Sequence, residues 1–403
     1  MTDDNDTTGH ADSPALTRRA TLAAAVGTPA LLGLAAGSYE VAARTTDDED
    51  FETPLLCPLA DGQSSLEGDR TALSADPRLL SAYDLSEGQQ VRVERRDDEF
   101  AAYTIVEERP EDPTDIIRAA DVTRCRLDLE EATPPAPGDV ECPSPDQNCS
   151  LADDEFEVTL STTIPNPDLS ESQAREQGEL IERLDERGTD RIFLAPHGGA
   201  VQPWTDDQAE YAAELTASTC WRTKGWGPDG GNAFRRWHVP TMELSPESYP
   251  ELETIADTEY DLAVDCSGVC DAGVLVGGTA DRDLRETVRD SINDALPRCA
   301  IEAELEDDGT SDRMLVNRLG EESIYLSQSY DSRRAYWEEV AHGLAAALSD
   351  DVEPPEQDPP CDRGNAPSET PPEDRGNAPS ETPPEDRGNA PSETPPNGRG
   401  NSE

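Results

Sequence analysis

The chain has 403 residues, 88 acidic against 32 basic, for a formal net charge of −56. That balance excludes a nucleic-acid partner, because no basic stripe exists to neutralise phosphates. It also points to high external salt: at 1 M the Debye length falls to roughly 3 Å, and the mutual repulsion that would oppose compaction in dilute buffer is screened.

Residues 1–50 begin polar and acidic, then carry Arg18-Arg19 before a weakly apolar run from Ala23 to Gly37. An arginine pair ahead of a short Ala/Gly/Leu stretch has the form of a twin-arginine export signal followed by an acidic linker. The run is short for a membrane span, which needs about 20 apolar residues, so no stable span is expected beyond the signal region. Small residues at Ala35, Ala36, Ala42 and Ala43 leave the cleavage site open. The predicted location is extracellular or attached to the cell envelope. The chain's 9 cysteines suit an oxidising compartment, and the odd count leaves at least one unpaired. Cys142 and Cys149 flank a loop they are placed to close.

Residues 51–140 read as a small β-rich module of barrel-like form. Gln90 to Arg95 alternates polar and apolar residues, and Phe100 to Glu107 supplies a second strand. Residues 134–150, rich in Pro, Asp and Cys, mark a boundary.

From residue 156 to 348 a βα pattern predicts an α/β domain with a mostly parallel sheet flanked by helices. Expected helices are Glu171 to Arg187, Asp207 to Leu215, Arg282 to Leu296 and Arg333 to Leu348. Expected strands are Arg191 to Ala195, Trp237 to Leu244, Leu262 to Val264, Gly273 to Gly278 and Ser323 to Leu326. Residues 349–403 are acidic and Pro-rich, with a 12-residue repeat opening at Asp362, Asp374 and Asp386. Repeats of Pro, Gly and charge have no apolar face to bury, so a disordered tail serving as spacer or tether is expected.

The segment with chemical content is Pro196-His197-Gly198-Gly199-Ala200-Val201-Gln202, directly after a buried strand. In open α/β sheets ligands sit beyond the carboxyl ends of strands, and two glycines let a backbone approach closely. This stretch resembles the Pro-His-Gly-Gly motif of the poly-γ-glutamate hydrolases, a family similar in fold to zinc carboxypeptidases. Trp237-His238-Val239-Pro240-Thr241, Val276-Gly277-Gly278, Asn317-Arg318 and Ile324 to Ser329 resemble further family segments in the same order.

The resemblance implies an exported hydrolase cutting γ-glutamyl amide bonds with zinc. Its partner would be an anionic γ-linked polyglutamate or a related cell-surface peptide. The implied metal positions are His197, Gln202 and Ser267, with Asp265 or Cys266 as a replacement donor. The implied substrate contacts are Asn317, Arg318 and His238, and Ser327 stands where the family places a Glu suited to general-base work. Departures are marked. Gln202 replaces a Glu, Ser267 replaces a His, and Ser327 or Gln328 stands in for the Glu of the last strand. One surviving ligand, His197, does not hold zinc. The alternative reading is therefore a decayed hydrolase that binds carboxylates or serves the envelope. Cys266 and Cys270 also admit a disulfide reading.

Overall fold

Two seven-stranded sheets organise the chain in the computed structural model, which describes residues 53–63, 65–96, 99–128, 155–227, 231–270, 273–297 and 301–354. The export signal, the loop between Cys142 and Cys149 and the repeat tail lie outside these residues. Among the described residues no helix is long and apolar enough to cross a membrane.

The first sheet holds β1 (Leu55–Pro58), β2 (Ala72–Ala75), β3 (Gln90–Arg96), β4 (Glu99–Glu108), β5 (Ile116–Ala119), β6 (Phe156–Glu157) and β7 (Thr159–Ser161), with α1 (Pro77–Ala82) and α2 (Asp121–Arg124). Its order is β6-β1-β5-β2-β4-β3-β7. The edge strands β6 and β7 pair only inward, with β1 and β3, so the sheet is open rather than the barrel the sequence suggests. Val91, Val93, Ala101, Tyr103 and Ile105 fill its core against Leu79 and Leu80 of α1. Because β6 and β7 belong here, residues 156–161, assigned from sequence to the α/β domain, complete the first sheet instead.

The second sheet holds β8 (Leu180–Asp185), β9 (Arg191–Gly199), β10 (Thr219–Gly225), β11 (Tyr260–Gly268), β12 (Val274–Gly277), β13 (Ala303–Leu305) and β14 (Gly320–Gln328) in the order β13-β12-β14-β11-β9-β10-β8. The central run β10-β9-β11-β14 is parallel, while β8 and β12 run antiparallel to their inner neighbours. The helices are α3 (Glu171–Gln177), α4 (Thr205–Leu215), α5 (Ala233–Trp237), α6 (Pro250–Ile255), α7 (Arg282–Ala295), α8 (Leu315–Leu319) and α9 (Tyr330–Leu348).

Each sheet face has its own core, as a doubly covered sheet requires. Phe193, Val264, Cys266, Ile324 and Leu326 pack against α4, α7 and α9 on one face. Leu194, Trp221 and Ala263 pack against α5, α6 and α8 on the other, joined by Phe100 and Ala102 of the first sheet.

Two predicted elements differ. The helix expected from Glu171 to Arg187 is a short α3, opened by a Ser170–Gln173 capping box and closed by Gly178 at φ 69°. A left-handed glycine ends a helix, and Leu180, Ile181 and Leu184 then continue as β8 against β10. The strand expected from Trp237 to Leu244 is instead the end of α5 followed by turns, so His238 caps a helix rather than lying on a strand.

Candidate functional site

The parallel strands β9 and β11 pair only as far as Leu194 and Asp265. Beyond that point β9 follows β10 and β11 follows β14, which opens a crevice at their carboxyl ends. On β9, Pro196 and His197 together oppose the single Thr223 of β10, between the Ala195–Arg222 and Gly198–Lys224 pairs. This bulge changes the alternation of β9 and re-aims a side chain. His197 consequently leaves the α4/α7/α9 side, to which Ala195 belongs, and meets Val239 and His238 on the other side.

His197 is 4 % exposed. Its Nε2 lies 2.7 Å from the Val239 carbonyl; a carbonyl only accepts, so Nε2 carries the proton and Nδ1 presents a lone pair. That Nδ1 is buried without a partner. Burial pushes the imidazole down to about 4, against the pull of the Val239 carbonyl and of the neighbouring Gln202 side chain. The ring stacks on His238 at 4.4 Å, and His238 stacks on Phe234 at 4.1 Å. Burial and the neighbouring His197 also lower His238 well below its ordinary value. Both rings are therefore neutral near pH 7.

The two glycines after His197 serve the fold. A Cβ on Gly198 would sit 2.4 Å from the Thr223 carbonyl and from Asp206 Cβ, and Gly199, at φ 70°, lies against the Gly225 backbone. The close approach is between the chain's own strands and α4, not toward a ligand.

The other implied metal positions are spent elsewhere. Gln202 Oε1 accepts the Gly268 N–H at 2.8 Å, and its Nε2 donates to the Gly268 carbonyl at 3.3 Å. The amide thus stands in for the β9–β11 pairing lost past Asp265. Ser267 donates to Asp265 Oδ1 at 2.7 Å. Asp265 Oδ2 is buried without a partner, and burial raises the carboxyl to about 7. Cys266 points into the α4/α7/α9 core, the opposite side from His197. It is a free thiol that burial raises well above its usual range, and its facing keeps it from joining His197 at one metal. It is also not the disulfide cysteine the sequence allowed; Cys270 is the disulfide-bonded one. Zinc needs about four convergent donors, and among the described residues no group of three His, Cys, Asp or Glu converges. The residues present do not fit the metal.

Ser327 donates to Glu306 Oε1 at 2.9 Å, so a carboxylate from the segment after β13 reaches the position where the family places one on the last strand. Sequence gave no signal of this, because it depends on β12 lying between β13 and β14. Asn317 donates to the Gly309 and Ser311 carbonyls at 2.8 and 2.7 Å and accepts from Ser323, which uses its whole amide within the fold. Arg318 donates to the Leu244 carbonyl. Neither Asn317 nor Arg318 has a hydrogen bond or ion pair with His197, Gln202 or Ser267 among the described residues. The structure therefore does not bring Asn317 and Arg318 together with His197, although His238 does join it.

One residue was missed altogether. Arg126, 6 % exposed, donates to the carbonyls of Ala102 at 2.7 Å, Arg235 at 2.6 Å, Arg236 at 3.4 Å and His238 at 2.9 Å. It ties the first sheet to the segment carrying His238. Contacts to backbone carbonyls across such sequence distances leave no motif.

Comparison with known proteins shows what the segment carrying this site resembles. Residues 167–349 match the family model described as poly-gamma-glutamate hydrolase. Among solved structures, a bacteriophage poly-gamma-glutamate hydrolase is 20% identical, covering 42% of this chain and 88% of its own, with a TM-score of 0.36. A zinc-free form of YNDL is 19% identical, covering 42% and 89%, with a TM-score of 0.32. A metallo-carboxypeptidase from Burkholderia cenocepacia is 14% identical, covering 50% and 73%, with a TM-score of 0.26. Curated proteins give no match. The similarity to the poly-γ-glutamate hydrolase family thus spans residues 167–349, a little under half of the chain.

Proposed function

We propose that this protein is a hydrolase-like member of the family that binds γ-linked glutamyl chains and does not cleave them by zinc chemistry. The observation that carries the reading is the Gln202–Gly268 pairing, which commits the Gln202 amide where a metal would need a donor. The family match supports the polymer as ligand. Arg18-Arg19 with the following apolar run supports export by the twin-arginine route, and the acidic composition supports work in high salt. The repeats from Asp362 onward suit a spacer holding the protein outside the cell or at its envelope. In molar salt the repulsion between an anionic protein and an anionic polymer is screened to contact range.

A second reading, zinc hydrolysis, has one observation in its favour. A histidine whose Nε2–H is held by a carbonyl while Nδ1 stays unprotonated has the arrangement of a metal-bound imidazole, and His197 has it.

The test uses the full chain purified in molar KCl with zinc offered. Elemental analysis should find well below one zinc per chain, and poly-γ-glutamate should cosediment with the protein without shortening. About one zinc per chain, together with chelator-sensitive shortening of the polymer, sinks the binding reading.

A further inference from the structure

A second concave site lies between residues of the first sheet and the segment 242–245, on the far side of that segment from His197 in chain order. It is a pocket of about 320 Å³, open to solvent, lined by Glu87, Thr104, Glu243, Leu244, Arg313 and Arg318 among others. Its wall is held in place. Gln90, 1 % exposed, donates to the Glu243 carbonyl at 2.7 Å and accepts the Ser245 N–H at 2.8 Å, which fixes residues 243–245 against the first sheet.

The charges around this wall are unusual for so acidic a chain. Among the described residues the Arg313 guanidinium has neither an ion pair nor a hydrogen bond. Arg318 donates only to the Leu244 carbonyl and has no carboxylate within ion-pair reach. Glu87 and Glu243 line the same space, and the hydrogen bonds of Glu243 come from neutral hydroxyls, those of Thr71 at 3.2 Å and Thr104. Two guanidinium groups and two carboxylates thus share one small pocket without a contact ion pair among them, Arg313 acting on Glu243 only through space. A ligand carrying both signs answers both pairs; a purely anionic ligand would meet the glutamates, and a purely cationic one the arginines. The volume suits a molecule of amino-acid to dipeptide size.

We propose that this pocket binds a small zwitterion, a free α-amino acid or the end of a short peptide, with its carboxylate on Arg313 and Arg318 and its ammonium on Glu87 and Glu243. A guanidinium forks onto a carboxylate with paired hydrogen bonds, and such contact-range bonds survive salt that screens longer-range attraction. The site is separate from the crevice, so it stands or falls independently of polymer binding there.

The experiment is calorimetric titration of the full chain in molar KCl with L-glutamate, and with glutarate, which keeps both carboxylates and lacks the ammonium. Saturable binding of L-glutamate is expected, with glutarate about tenfold weaker. Arg313→Gln and Arg318→Gln should each weaken L-glutamate about tenfold, the loss of one charge-assisted contact. The Arg313 side chain makes no hydrogen bond or ion pair among the described residues, so its variant separates ligand loss from misfolding. No saturable binding at about 10 mM L-glutamate, equal affinity for glutarate, or an unchanged affinity in the Arg313 variant each overturns the proposal.

Discussion

The His197 crevice and the Arg318 pocket share a wall and are chemical opposites. Residues 239–244 supply both: the Val239 carbonyl holds His197 and the Leu244 carbonyl holds Arg318. In the crevice the polar side chains are turned onto the protein itself, Gln202 to Gly268, Ser267 to Asp265 and Ser327 to Glu306. Among the described residues, His197 Nδ1, Asp265 Oδ2 and Gln328 Oε1 are buried there without partners. In the pocket the charges face open space. The difference teaches that a site inherited at the strand ends can be closed by ordinary backbone satisfaction, since each buried polar group left unpaired costs about 1–3 kcal/mol. A site at the junction with an added sheet keeps its charges available because water satisfies them until a ligand arrives.

The largest expected effect tests whether the shared wall is one unit. Arg126→Ala strips hydrogen bonds from four buried or half-buried carbonyls, three of them on residues 235–238. It should cost about 4 kcal/mol in urea unfolding, and in the native protein it should disturb the His197 and His238 imidazole resonances. A loss below about 1 kcal/mol would mean that the two sheets hold the wall without it. Next comes Gly198→Ala, whose new methyl would lie 2.4 Å from the Thr223 carbonyl. Backbone has to move, so about 3 kcal/mol is expected, confined to the crevice, with L-glutamate binding in the pocket retained. Loss of both would show that the two sites do not respond separately.

The smallest effect is a pH slope. His197 falls from 6.5 to about 4 on folding, so between pH 4 and 6.5 the unfolded chain holds the extra proton, and this group makes stability rise with pH. Asp265 rises from 3.8 to about 7, so between those values the folded chain holds the extra proton, and stability falls as pH rises. The two slopes oppose each other across pH 4–6.5. Asp265→Asn removes the falling one, and its stability should climb with pH more steeply than the parent's. Equal slopes in urea titrations at several pH values would refute the assignment.

The sequence was informative where a local pattern meets a local cause. Arg191 to Ala195 reads as a buried strand and is one; Arg282 to Leu296 reads as an amphipathic helix, and α7 buries Val288 and Ile292. It misled where a cap outweighed periodicity. Gly178 ended a helix that Leu180, Ile181 and Leu184 seemed to continue. At the site, the sequence singled out His197 and flagged the missing Glu and His. The facing of Cys266, the spent amide of Asn317 and the bond of Arg318 to the Leu244 carbonyl depended on tertiary placement and were not legible.

Composition by itself determined the net charge of −56, because summed charge needs no fold to be counted. Order along the chain determined the βα alternation and the family motifs, because helices and strands answer to nearest neighbours. Only the tertiary structure decided which polar atoms remain for chemistry. A hydrogen-bond donor is available or spent according to what stands about 3 Å away. For Gln202 that is a glycine 66 positions further along, brought there by the parting of two strands.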